Sequence, residues 1–126
     1  MMPGVTLDAG GLIALDRDDR PVVVLLARAR ETGARVTVPA SALAQAIRRP
    51  DRQARLSRLI RQPTTDVISL DRVDATNVGR LLAASGTSDI ADAHVVICAR
   101  RANQPVVTSD PGDLRQLDNA LRLITL

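Results

Sequence analysis

The 126-residue sequence contains no phenylalanine, tyrosine, tryptophan or lysine, and only one cysteine. Each omission excludes something. Without aromatics the core must be aliphatic, and any stacking on a nucleic-acid base must use arginine planes. All 17 basic residues are arginines. The missing lysine argues against phospho-acceptor domains and aspartate-nucleophile phosphatases, which commonly set a lysine beside the phosphoryl group. With no G-K-[ST] there is no P-loop. A GC-rich coding bias is the plain explanation for both compositional gaps. The single Cys98 rules out an intrachain disulfide and a multi-cysteine zinc site. No uncharged apolar run approaches the roughly 18 residues that span a bilayer. The opening MMPGVTLD has neither the basic flank nor the apolar centre of a signal peptide, so a cytoplasmic protein is expected.

What is present suits one folded domain over residues 1–126. Apolar residues make up 45% of the chain. A chain of this size buries roughly 65–70% of its unfolded surface, enough for a core without staples. A net charge of +3 and a pI near 10.8 suit an anionic partner without identifying one.

Short β-branched runs alternate with longer helical patterns. Strands are expected at 4–7 (GVTL), 35–38 (RVTV), 66–70 (DVISL), 105–108 (PVVT) and 121–126 (LRLITL). Helices are expected at 9–15, 21–33, 40–49, 51–62, 72–84, about 89–103 and 110–117. Pro21 suits a first turn, Gly33 and Gly86 suit helix ends, and Asp71 and Ser88 suit N-caps. The alternation predicts an α/β fold with a mainly parallel five-stranded sheet. The strands are apolar on both faces, as when helices cover both sides.

In such a sheet, ligands bind beyond the carboxyl ends of the strands. Asp8 ends the first strand and Asp110 ends the fourth. Each also suits an N-cap, and singly the two readings weigh equally. Asp92 lies in an otherwise apolar helix, SDIADAHVVICARR, where a carboxylate is costly unless paired, protonated or metal-bound. Asp89 sits one turn earlier. Asp113 follows Asp110 around the Pro-Gly pair of VVTSDPGDL, where a first-turn acid also favours the helix dipole. Like charges about 4 Å apart repel by roughly 4 kcal/mol at an effective dielectric of 20. A cluster of ionised carboxylates therefore needs a cation, and all-oxygen donors favour Mg²⁺ or Mn²⁺. Asp8, Asp92 and Asp110 are the candidate ligands, with Asp89 and Asp113 as further candidates.

VTLDAGGLIAL, VPASALAQAIRR, GTSDIADAHVVICARR and PVVTSDPGDLRQL, in this order and spacing, resemble the successive motifs of PIN-domain ribonucleases. They look most like VapC-type toxins of bacterial toxin–antitoxin pairs. The resemblance covers nearly the whole chain. It implies a Rossmann-like α/β/α sandwich, RNA cleavage with acid-bound Mg²⁺ or Mn²⁺, neutralisation by a VapB-type antitoxin, and a homodimer. It places the family's first, third and fourth acids on Asp8, Asp92 and Asp110, and an accessory acid on Asp113. The family's second acid, usually Glu, falls on Gln45, which brings an oxygen but no charge. The implied consequence is fewer or weaker metal ions, with Asp89 or Asp113 as replacements for the missing charge.

Other features have two readings each. Thr108 and Ser109 either orient an acid or a metal-bound water, or satisfy the strand end. The arginines at 48, 49, 52, 55, 58 and 61 partly follow an i, i+3 stripe on the two helices expected there. Arg48, Arg49 and Arg52 are candidates for contact with RNA phosphates or an acidic antitoxin segment, against a plain solvated face. His94 and Cys98 read as core. The leading function is a metal-dependent endoribonuclease toxin. The alternative is a catalytically weakened module that engages antitoxin or RNA without efficient cleavage, because of Gln45.

Overall fold

The computed structural model describes residues 4–126; the first three residues of the MMPGVTLD stretch lie outside the described residues. Five strands are present: β1 (Val5–Leu7), β2 (Val36–Pro39), β3 (Thr65–Ile68), β4 (Val106–Thr108) and β5 (Leu123–Thr125). All pair in parallel, in the order β3-β2-β1-β4-β5. The helices are α1 (Ala9–Asp16), α2 (Arg20–Thr32), α3 (Ala40–Ala46), α4 (Ala54–Ile60), α5 (Arg72–Ser85), α6 (Ile90–Ala102) and α7 (Pro111–Leu117). The chain walks outward from β1 to β3, then crosses back to β4. The strand order therefore reverses between β1 and β4, and the carboxyl ends of these two neighbours flank the switch point.

The central strands need cover on both faces, and their residues are almost completely enclosed. Helices α1, α2 and α4 pack together on one side, and α5, α6 and α7 on the other. α6 crosses β1 and β2, which is why six of its residues from Ala93 to Ala99 are buried. α3 leaves β2 without a loop and touches both α1 and α6, so it joins the two layers at the carboxyl edge of the sheet. The core is aliphatic throughout, with Leu7, Leu12, Val38, Val96, Val107 and Leu114 almost fully enclosed. No single helix among the described residues is long and apolar enough to cross a membrane.

Most helix ends follow the local chemistry read from sequence. Asp71 caps α5 by accepting from the Asp74 amide at 2.8 Å, and Gly33 and Gly86 end α2 and α5 in the left-handed conformation. The cap of α6 differs from expectation. It is Asp89, not Ser88, whose carboxylate accepts from the Asp92 amide at 2.9 Å. Strand bounds move by at most two residues, as at β3, which starts at Thr65 and stops at Ile68.

The stretch expected as two long helices, 40–49 and 51–62, is different. α3 stops at Ala46 because Ile47 turns extended and Arg49, preceding Pro50, is kept out of the helical region. A short 3₁₀ turn (Pro50–Arg52) and Gln53 follow before α4 begins. The buried Gln53 side chain closes this loop. Its Oε1 accepts from the amides of Arg48 and Arg49 at 3.0 and 3.1 Å, and its Nε2 donates to the Ala46 carbonyl at 3.0 Å. Arg48, Arg49 and Arg52 thus project from a loop and a 3₁₀ turn, not from a helical stripe.

A buried polar chain ties three helices together. Asp74 is a carboxylate that only accepts, so His94 Nε2 donates to it at 3.0 Å. The other ring nitrogen then accepts from the Ser41 hydroxyl at 3.1 Å. Arg101 donates to both oxygens of Asp74 and, with His94, holds the carboxyl below its usual range against the cost of burial. His94 is fully enclosed, so it is the structural histidine expected. Its partner lies 20 residues upstream, a pairing that no local spacing reveals.

Two substitutions test these supports. A methyl group at Gly11 would lie 2.8 Å from the Val107 carbonyl oxygen, so Gly11→Ala should push α1 off β4 and cost about 1–3 kcal/mol in urea unfolding. Asp74→Ala leaves the buried His94 donor unmatched and should cost about 1–3 kcal/mol. Unchanged urea midpoints in either variant would contradict the corresponding packing argument.

Candidate functional site

Asp8 and Asp110 leave neighbouring parallel strands at the switch point, so topology alone brings them together. Asp8 is almost fully buried and caps α1, accepting from the Gly11 amide at 2.8 Å through Oδ1. Glycine is needed at position 11 because its lack of a side chain lets α1 lie against β4. Asp110 stands at the N-cap position of α7, yet its side chain makes no capping hydrogen bond. Capping therefore accounts for Asp8 in part and does not occupy the exposed Asp110 carboxylate.

Thr108 links the two. Its buried hydroxyl accepts from the Asp110 amide at 2.9 Å and lies beside the Asp8 carboxylate, whose charged form it favours. One hydroxyl thus fixes the backbone of one acid and favours the charged form of the other. Ser109 is exposed at the same strand end, with its hydroxyl against Gly10 of α1.

Asp92 is half-buried in the first turn of α6, and Asp89 is the exposed cap one turn before it. Burial, then Asp89, Asp8, Asp113 and Asp110 in decreasing order, push the Asp92 carboxyl up to about 7. Asp8 is raised chiefly by burial and also by Asp110, partly offset by the Thr108 and Gly11 hydrogen bonds. The exposed Asp113 is raised by a hydrogen bond shared with Asp110 and by repulsion from it. The four other acids picked out in the sequence therefore lie within electrostatic reach of Asp92. Beside them is a cavity of about 210 Å³ lined by Thr87, Ser88, Asp89, Asp92, Asp113 and Gln116.

Gln45 is exposed on α3, one turn on from the Ser41 that meets His94, and its side chain has no hydrogen-bond partner among the described residues. Arg48 uses its guanidinium on the Ala44 and Ile47 carbonyls that end α3.

The carboxylates are spread rather than closed on one point. Among the described residues, the set of three potential ligands whose donor atoms lie within 4.8 Å of one another is Asp74, His94 and Cys98. That group does not fit a metal. Asp74 is taken by Arg101 and His94, and both ring nitrogens of His94 are used. Burial pushes the Cys98 thiol up to about 12, so it stays protonated. The acid cluster fits a hard divalent cation better. It has only oxygen donors, uncompensated repulsion, and an Asp110 carboxylate not used for capping.

No protein-family model and no curated protein matches this sequence. Solved structures do. The VapBC2 complex from Rickettsia felis, bound to a DNA fragment from its promoter, is similar with a TM-score of 0.67 at 14% identity, covering 98% of this chain and 98% of that one. FitAB bound to an IR36 DNA fragment is similar with a TM-score of 0.64 at 15% identity, covering 96% of this chain and 94% of that one. The fold is the PIN-like α/β/α sandwich that the motifs implied, with an all-parallel sheet.

The raised Asp92 carboxyl makes stability depend on pH. The folded chain keeps a proton there up to about 7, whereas the unfolded chain releases it near 3.8. The native state thus binds more protons across that interval, and unfolding free energy falls as pH rises from 3.8 to about 7. Asp92→Asn should flatten that fall and be more stable than the parent above pH 7. Parallel curves of unfolding free energy against pH for the two proteins would contradict this picture.

Proposed function

We propose that the chain is a metal-dependent endoribonuclease toxin that hydrolyses RNA phosphodiester bonds and is neutralised by a VapB-type antitoxin. The observation that carries this reading is the convergence of Asp8, Asp92, Asp110, Asp89 and Asp113 at the switch point of a PIN-like sheet. The VapBC2 and FitAB structures, which share the fold, support a toxin–antitoxin setting and an antitoxin partner. A homodimer is part of the same proposal.

Asp8, Asp92 and Asp110 would hold Mg²⁺ or Mn²⁺, with Asp89 and Asp113 alongside. Such an ion polarises a phosphoryl oxygen and lowers the pKa of water. The chain's own contribution is arrangement and charge. The pairing of β1 with β4 keeps Asp8 and Asp110 in register, and Thr108 holds the Asp110 amide. Burial and repulsion leave Asp92 protonated part of the time at neutral pH, so it offers its full charge only when positive charge is near. Carboxylates at this edge accept hydrogen bonds from an attacking water and orient it toward a phosphodiester in the adjoining cavity. Hydrolysis in line leaves a 5′-phosphate and a 3′-hydroxyl. Gln45, at the position where the family pattern has Glu, brings no charge, so the chain has one carboxylate fewer than that pattern.

RNA cleavage should be lost in EDTA and restored by Mn²⁺ or Mg²⁺. Asp8→Asn and Asp110→Asn should each lower the rate at least about 100-fold, the scale for losing a group that organises charge in the transition state. Gln45→Glu should raise it. Cleavage that persists in EDTA, or full activity in both Asn variants, would refute the proposal. Weak cleavage by the parent and strong cleavage by Gln45→Glu would favour the weakened binding module.

A further inference from the structure

The loop after α3 carries a feature that the acid cluster does not use. Ile47, Pro50, Gln53, Leu56, Ser57 and Ile60 line a mainly apolar cavity of about 180 Å³. Ile47 is 38% exposed at its mouth. Arg49 and Arg52 flank it in the chain, both exposed. Among the described residues neither side chain has a hydrogen-bond or ion-pair partner. Of the neighbouring arginines, Arg55 pairs with Asp18 and Arg61 donates to the Ser57 carbonyl, while Arg58 is exposed further along α4.

The loop is joined to the acid-bearing edge of the sheet through α3 and α1. α3 starts at the carboxyl end of β2, and α4 is the element that returns the chain to the start of β3. Gln53 Nε2 also reaches Asp16 at 3.4 Å, at the last residue of α1. Asp8 caps the other end of α1, and a helix of that length spans about 12 Å. Arg49, Arg52 and the slot are therefore within reach of a short oligonucleotide threaded over the acids.

We propose that this slot receives a base of single-stranded RNA while Arg49 and Arg52 hold flanking phosphates, a subsite that rests on the nuclease reading above. Charge complementarity identifies the occupant. An aliphatic slot whose lining residues Pro50 and Gln53 directly follow two unpaired arginines suits a flat apolar face joined to a polyanion. Phosphate contact gives affinity without sequence information. The slot walls offer only the Ser57 hydroxyl as an uncommitted polar group, since both ends of the Gln53 amide are hydrogen-bonded. Recognition there is by shape and apolar contact, and bases are tolerated alike.

The test is fluorescence anisotropy with labelled single-stranded oligouridine and oligoadenosine, in EDTA so that nothing is cut, over a range of salt. The full chain should bind both within a few-fold of each other. Arg49→Gln with Arg52→Gln should reduce the slope of log affinity against log salt by about 1.4, from roughly 0.7 per phosphate on a single strand. Ile47→Ser should weaken binding roughly fivefold and leave the slope unchanged. An unchanged slope in the arginine variant overturns the proposal, as does no binding by the parent at low salt. Light scattering in which Ile47→Ser breaks self-association while RNA binding is intact would make the slot a contact between copies. Binding of an acidic peptide in place of RNA would overturn it equally. Arginine-dependent binding by a parent that never cuts RNA with Mn²⁺ would fail the nuclease reading and leave this subsite standing. Cutting without arginine-dependent binding would do the reverse.

Discussion

Mutual repulsion among carboxylates is the constraint around which this end of the molecule is arranged. Asp8 and Asp110 are forced together by the pairing of β1 with β4, and Asp92 and Asp89 are added by the first turn of α6. Asp113 comes from the first turn of α7. No lysine or arginine hydrogen-bonds to any of these five among the described residues. The result is visible in Asp92, whose carboxyl is pushed up to about 7 by burial and by its four neighbours. A fold that keeps such a group gives up stability at neutral pH, a trade often made where a charged ligand is to be bound.

The surrounding packing holds the acids against that repulsion. Gly11 lets α1 approach β4 closely, with the Asp8 carboxylate beside Thr108. On the other side, the Ser41–His94–Asp74–Arg101 chain fixes α3 and α5 to α6. That chain lies two residues beyond Asp92 on the same helix, so it sets where α6 presents its acid. It resembles a metal site in composition and behaves as an internal brace, because an arginine already neutralises its carboxylate.

Much of this was legible in the sequence, for physical reasons. The strands were readable because β-branched runs buried on both faces leave little alternative, and the helix ends at Gly33, Asp71 and Gly86 because caps are local. Asp8 and Asp110 could be placed at strand ends by pattern, and the parallel order then joined them. What was not legible depended on contacts across the chain. Pro50 and the buried Gln53 broke two expected helices into a loop, through four hydrogen bonds that a helical period cannot foresee. Nothing in the local sequence singles out Asp74, and only the packing of α5 on α6 makes it the partner of His94. Asp89 displaced Ser88 as the cap because its carboxylate reaches the Asp92 amide. Thr108 has two readings in the sequence, and its hydroxyl satisfies the strand end by accepting from the Asp110 amide.

The central claim is that this acid cluster exists to hold a divalent cation. Isothermal titration of the full chain with Mn²⁺, beside Asp8→Asn, tests it most directly and needs no substrate. The account predicts saturable binding accompanied by proton release near neutral pH, weakened at least tenfold in the variant. Absence of binding at millimolar Mn²⁺, or equal binding by both proteins, would contradict it.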